Sequence, residues 1–126
     1  MKIFLHSCCA LTVVVVALAG PGCGRKAPAS GTATPQQTAT NVQSAFQNAP
    51  DDLKQQAVEV VSAVQSQNPV MAYTQLEHLS ARSNLSSEQQ QALFEMRMAL
   101  IRQLQADSAK GNAAAEELLN KYRATK

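Results

Sequence analysis

The sequence has few of the residues that build metal, redox or large catalytic sites. It contains no tryptophan, three cysteines and two histidines, and aromatic side chains make up only 4% of its 126 residues. Cys8 and Cys9 lie inside an apolar N-terminal segment, which leaves Cys23 as the one cysteine beyond it. A single cysteine cannot form an intramolecular disulfide or complete a structural zinc or iron–sulfur site. We therefore expect neither a metal nor another cofactor.

Charge and motif patterns exclude further function classes. The formal net charge is only +2, and the sequence has no basic stripe with interleaved aromatic residues, so we expect no nucleic-acid binding. It also contains no glycine-rich phosphate loop, HExxH motif or Ser/His/Asp set. His78 is the one histidine beyond the apolar N-terminal segment, so it has no second histidine as a partner. The acidic pairs Asp51-Asp52 and Glu116-Glu117 lie at predicted helix starts, where they interact favourably with the helix dipole. The sequence thus predicts a protein that is not an enzyme.

Residues 1–22 have the order that is typical of a secretory signal peptide. Lys2 supplies a short positive region, and a dense apolar run from Leu11 to Ala19 follows it. This run is shorter than the about 20 apolar residues that a membrane-spanning helix needs, and Gly20-Pro21-Gly22 ends it. We interpret the segment as an export signal rather than as a permanent membrane helix.

The segment Ala17-Leu18-Ala19-Gly20-Pro21-Gly22-Cys23-Gly24 resembles the processing site of bacterial lipoproteins. In that family a cysteine preceded by small residues is acylated and becomes the first residue of the mature protein, and Cys23 is the matching position. The resemblance implies a palmitate-type anchor of several acyl chains, which is stable on a membrane. Gly24 resembles members that are sent to the outer membrane of Gram-negative bacteria. Cleavage after Ala19 is the alternative, and it would give a soluble secreted protein.

Residues 23–49 are predicted to be the acylation site followed by a disordered tether. Their composition of Ala, Thr, Pro, Gln, Ser and Gly offers too little apolar surface to offset the entropy of an ordered chain. The large apolar residues are Val42 and Phe46, and with Ala45 they fall at helical spacing. A short helix from Asn41 to Phe46 is therefore the one element compatible with this segment.

Residues 50–126 are predicted to form an all-α domain, a small bundle of about four antiparallel helices arranged as stacked helical hairpins. The start signals are Pro50-Asp51-Asp52 for the first helix, Asn68-Pro69 for the second, Ser86 with Gln89 for the third and Asn112 for the fourth. Gly111 favours the exit from the third helix. The hairpins are loosely similar to tetratricopeptide-type repeats, although the repeat positions do not align at a period of about 34 residues.

The third helix, over 87–109, is predicted to be central because its apolar arc is wide enough to require more than one neighbour. Its apolar residues are Leu93, Phe94, Met96, Met98, Leu100, Ile101 and Leu104. Arg97 lies inside this arc: its stem could follow the bundle edge, it could pair with Glu59 or Glu77, or it could mark a groove for an anionic partner. Met96 and Met98 are core residues or line an adaptable groove. Arg97, Met96 and Met98 are therefore the candidate partner-binding residues.

The C-terminal tail, Lys121-Tyr122-Arg123-Ala124-Thr125-Lys126, resembles the end of the murein lipoproteins of enteric bacteria. The resemblance implies that Lys126 could be joined to peptidoglycan. Two hypotheses follow for the function. In the first, an exported lipoprotein in the cell envelope presents a non-catalytic helical module, facing the periplasm or the exterior, to an envelope protein or peptidoglycan. In the second, the protein is a structural spacer between membrane and peptidoglycan.

Overall fold

The computed structural model describes residues 33–125, and this part of the chain is all-helical and contains no strand. Its five helices are α1 (Pro35–Ala45), α2 (Asp51–Gln65), α3 (Pro69–Ser80), α4 (Ser87–Ala109) and α5 (Ala113–Ala124). The all-α class predicted from the sequence is confirmed, with one helix more than the about four expected. The predicted signal peptide 1–22, Cys23 and Lys126 lie outside the described residues.

The helix starts predicted for α3, α4 and α5 are confirmed by their caps. The side chain of Asn68 accepts a hydrogen bond from the backbone N–H of Met71 at 3.0 Å. Ser86 and Gln89 form the reciprocal capping box, and the side chain of Asn112 caps α5 in the same way as Asn68 caps α3. These bonds satisfy N–H groups that have no acceptor inside the helix. The sequence therefore determines these boundaries locally.

Helices α1 to α4 surround a common apolar core. Both α1 and α3 contact α2 and α4, so that the four helices form a closed ring. The largest fully buried side chains of this core include Phe46, Leu53, Leu76, Leu79, Met96, Leu100 and Leu104. Helix α5 packs outside the ring against α3 and α4, with Ala115 and Leu119 buried. Helix α4 thus contacts α1, α3 and α5, as its wide apolar arc predicts.

Helix α1 corrects the predicted tether. The sequence predicts a disordered tether over 23–49 with a short helix only from Asn41 to Phe46. Residues 35–45 instead form one helix with a buried side, so the prediction of disorder is wrong for residues 35–40. Ala39, Val42 and Phe46 recur at helical spacing and join the core, and Thr38 is buried beside them. The low apolar content of the segment does not predict this helix, because most of the surface against which its few apolar side chains pack comes from α2 and α4.

A local signal for α1 was nevertheless present in the sequence. Thr34 and Gln37 make a capping box, in which the Thr34 N–H donates to Gln37 Oε1 at 2.9 Å and the Gln37 N–H donates back to Thr34 Oγ1 at 3.3 Å. Pro35 occupies the first turn, where its missing N–H is not needed. The pattern Thr-Pro-Gln-Gln is a helix start of the same kind as Ser86 to Gln89.

Polar contacts fix α1 on α4. The Arg102 guanidinium donates to the carbonyl of Ala33 at 2.9 Å, and the Gln89 amide donates to the carbonyl of Ala45 at 3.3 Å. These bonds join the start of α1 to the second half of α4 and the end of α1 to the first turn of α4.

No helix within residues 33–125 has both the length and the apolar character that a membrane span requires.

Candidate functional site

A surface cleft of about 480 Å³ lies between the end of α3, the loop that follows it and the first half of α4. We call it the α3–α4 cleft. Its polar lining is Ser80, Arg82, Ser87, Gln90, Gln91 and Arg97, and its apolar lining is Leu85, Leu93 and Phe94. Pockets that bind small molecules have volumes of roughly 300–1,000 Å³. The cleft therefore has the size of a binding site.

Arg97 reaches the cleft from the middle of α4. Its Nη2 lies 2.9 Å from Oε1 of Glu77 on α3, which is one of the three interpretations considered for this residue. The Arg97 and Glu77 side chains are 30% and 46% exposed, so solvent screens the pair and its net contribution is at most about 1 kcal/mol. The Arg97 Nε is buried and has no hydrogen-bond partner. The guanidinium is thus only partly satisfied within the fold.

Arg82 supplies a second positive charge from the loop after α3. Its guanidinium forms an ion pair with Asp52 in the first turn of α2, and both side chains remain partly exposed. No carboxylate lies among the lining residues of the cleft. Ser87 also lines it at the N-terminal end of α4, where the helix dipole is positive. The lining therefore carries two guanidinium groups and no carboxylate, and each guanidinium is paired with a carboxylate that lies just outside the lining.

The other polar groups of the cleft differ in how far they are already paired. The Gln90 amide donates to the carbonyl of Leu85 at 3.0 Å, and the Gln91 amide donates to Glu95 at 2.9 Å. The Ser80 hydroxyl oxygen is buried and has no partner. A buried polar atom without a partner is uncommon in a folded protein and calls for an explanation. Ser80, like Arg97, contributes such an atom to the wall of this cleft.

The structure separates the three apolar side chains near Arg97. Met96 is fully buried, with its sulfur 3.4 Å from Thr38 Oγ1, so of its two predicted roles the core position holds and the groove position is wrong. Met98 is 39% exposed but does not line the cleft. Phe94, expected within the buried arc, is 55% exposed and lies in the cleft lining. The arc is wider than the neighbouring helices can cover, and its edge remains in solvent.

Glu77, the ion-pair partner of Arg97, lies near Tyr73 on the same helix, α3. Burial, together with the Glu77 charge, raises the pKa of Tyr73 to about 12. The Tyr73 and Tyr122 rings meet edge to face, with centroids 6.2 Å apart and planes at 84°. This geometry is a favourable aromatic arrangement. Tyr122 therefore packs on Tyr73, which lies beside Glu77, the ion-pair partner of Arg97.

Within residues 33–125 no group of three or more His, Cys, Asp or Glu side chains is placed to hold a metal ion. His78 is exposed on α3. The cleft offers positive charge, hydrogen-bond donors and an exposed aromatic ring. Cys23, the predicted lipidation site, lies outside the described residues.

Comparisons with known proteins do not assign the fold or the cleft to a family. No family model matches the sequence, and comparisons with curated proteins and with solved structures return no match. The interpretation of the cleft therefore rests on its own residues and geometry.

Proposed function

We propose that this protein is an exported lipoprotein, anchored through Cys23, whose helical bundle is a non-catalytic interaction module of the cell envelope. The observation that supports a binding role is the α3–α4 cleft, which combines Arg82 and Arg97 with the exposed ring of Phe94. Arginine and aromatic side chains are enriched among the residues that contribute most to protein–protein binding. The proposed binding surface is therefore this cleft.

In the proposed arrangement the helices of the ring run up and down, with neighbours antiparallel. The contacts of α4 with α1 support this: Arg102 bonds to Ala33 before α1, whereas Gln89 bonds to Ala45 at its end. The cleft shares the Gln89 end of the bundle. The chain from the N-terminal segment joins the bundle at Ala33, the opposite end, so the cleft points away from the attachment point.

An anchor at Cys23 would keep the bundle close to the membrane. Cys23 and Ala33 are about ten residues apart, a length that spans at most about 35 Å when fully extended. Helix α1 adds about 16 Å along the bundle axis. The cleft would then lie beyond the headgroups and be open to partners in the periplasm or at the exterior. Gly24 favours the outer membrane in a Gram-negative host.

The anchor is tested by labelling cells with a palmitate analogue. We expect the wild-type protein to be labelled and the Cys23→Ser variant to be unlabelled, whereas a variant with serine at both Cys8 and Cys9 should keep the label. Mass spectrometry should find an acylated Cys23 as the first residue. An unmodified mature protein that begins at Gly20 would instead show that it is secreted in soluble form.

The binding role is tested by photo-cross-linking in cells that produce the full chain. A photoreactive phenylalanine analogue replaces Phe94 in the cleft or, as a matched control, Val58, which is 56% exposed on α2 and lies outside the cleft. We expect one discrete adduct from position 94 that disappears when Arg97→Gln is added. Equal cross-linking from both positions, or none from 94, would contradict a role for the cleft.

A further inference from the structure

The charge distribution around the α3–α4 cleft defines a ligand class, and this inference rests on the binding role proposed above. We infer that the cleft binds an acidic peptide segment of a partner protein. The carboxylate of the segment meets Arg97 and Arg82, and an adjacent large apolar side chain packs on Phe94. The juxtaposition of two arginines with an exposed aromatic ring in one cleft carries this assignment.

The two arginines are available to an incoming carboxylate. Their partners, Glu77 and Asp52, are not lining residues, and both pairs are partly exposed to solvent. Exposed ion pairs of this kind are weak, because water screens the charges and the long side chains lose freedom when they pair. Exchange of one carboxylate for another therefore has little cost, and the ligand supplies the additional contacts.

Two residues that line the α3–α4 cleft each have a buried polar atom without a hydrogen-bond partner. Within the described residues, the buried side-chain nitrogen and oxygen atoms that have no hydrogen-bond partner are Arg97 Nε and Ser80 Oγ, and both residues line the cleft. A carboxylate can accept two parallel hydrogen bonds from the Nε and Nη2 edge of a guanidinium. A small rotation of Arg97 that turns this edge toward the cleft would satisfy Nε with the ligand.

The surroundings of the arginines favour a peptide over a free anion or a lipid headgroup. Leu85, Leu93 and Phe94 provide apolar surface beside the charges, and the side-chain amides of Gln90 and Gln91 line the same cleft. A free phosphate would use neither feature. The cleft also lies at the end of the bundle opposite Ala33, where the chain from the proposed anchor joins.

The test uses the full chain in detergent and a library of immobilised peptides with blocked ends, in which acidic, amide, basic and apolar residues vary at the central positions. We expect peptides that place Glu or Asp beside Leu or Phe to be enriched over their Gln and Asn counterparts. Fluorescence polarisation of the best peptide should then show at least about tenfold weaker binding to Arg97→Gln, the loss expected for a charge-assisted hydrogen bond. Arg123→Gln removes the same charge from α5, outside the cleft, and should bind normally.

Two further variants distinguish recognition from a general loss of structure. Glu77→Gln removes the carboxylate that competes for Arg97, so it should bind the acidic peptide more tightly, opposite in sign to Arg97→Gln. Phe94→Ala should weaken binding, whereas Met98→Ala, one turn along α4 and outside the cleft lining, should not. A purely structural role of the ion pair would make Glu77→Gln and Arg97→Gln behave alike.

The outcomes also separate this inference from the proposed function. Enrichment of neutral or basic peptides whose binding depends on Phe94 but not on Arg97 would overturn the acidic ligand and keep the cleft as a binding site. Binding to phosphatidylglycerol vesicles that requires Arg97, without any selected peptide, would overturn the inference in favour of a lipid. Failure to bind either peptides or vesicles would count against both the inference and the binding role.

Discussion

Substitution of Phe46 by alanine tests whether α1 is an integral part of the fold. Phe46 is only 1% exposed, directly after α1, and its ring packs in the core shared with α2 and α4. Removal of a buried phenylalanine side chain costs about 3–5 kcal/mol. The roughly 90 described residues should have a total stability of about 5–14 kcal/mol. One substitution in the predicted tether should therefore remove a large fraction of the stability of the whole bundle.

The assay is urea unfolding of the full chain in a mild detergent, followed by circular dichroism at the helical band. With a slope of about 1–2 kcal/mol per molar urea, a loss of about 3–5 kcal/mol should lower the midpoint for Phe46→Ala by about 1.5 M or more. The control is Val58→Ala, an apolar truncation at an exposed position of α2, which should change stability by less than about 0.5 kcal/mol. If the two variants unfold at the same midpoint, α1 does not pack as the structure describes.

Three further predictions concern individual contacts. Gln89→Ala removes both the return half of the α4 capping box and the hydrogen bond to the Ala45 carbonyl. It should lower the free energy of unfolding by about 1–2 kcal/mol in the same assay. A variant as stable as wild type would argue against the hydrogen bond between Gln89 and Ala45. Burial, with the nearby Glu77, raises the pKa of Tyr73 to about 12 from 10.0. Between these two values the folded protein keeps a proton that the unfolded chain loses. The stability that this proton contributes is complete below pH 10 and declines as the pH rises toward 12. Wild type should consequently lose more stability than Tyr73→Phe between about pH 9 and about pH 11, and equal losses would contradict the raised pKa. Gly111 has a φ of +88°, and an added Cβ would meet nothing within 4 Å. Gly111→Ala should therefore lower the free energy of unfolding only by the cost of the left-handed conformation, about 1–2 kcal/mol. A larger loss of stability would indicate a clash.

The helix boundaries from Asp51 onward could be predicted because their causes are local. Asn68, Ser86 and Asn112 each satisfy the N–H group three residues further along the chain, and these bonds form wherever the helix lies. Apolar spacing likewise predicted one buried face for α2 and a wide one for α4. The capping box at Thr34 belongs to the same class of signal, so the start of α1 was also encoded locally.

The packing of α1 could not be predicted from its own composition. Its buried side chains include only two large apolar ones, Val42 and Phe46. On a chain considered alone, these cannot offset the entropy of ordering the segment. They become sufficient only when α2 and α4 present a shared surface, and when Arg102 and Gln89 bind the carbonyls at the two ends of the helix.

The α3–α4 cleft depended on how two consecutive helices pack, because its lining residues all lie between Ser80 and Arg97. The sequence singled out Arg97 within an apolar arc, but it could not decide between Glu59 and Glu77 as its partner, and it gave no reason to place Arg82 beside it. It also assigned Met96 and Phe94 to the same arc, although one is fully buried and the other is largely exposed.

The amino-acid sequence by itself thus determined the helical class, the ends of most helices and the placement of Arg97 in an apolar arc, because short-range hydrogen bonds and residue periodicity are properties of a few neighbouring residues. Only the tertiary structure decided that α1 closes the ring, that Met96 is core and that Arg82, Arg97 and Phe94 line one cleft. The reason is physical: burial and charge pairing are set by which helix surfaces meet, and no single helix determines its neighbours.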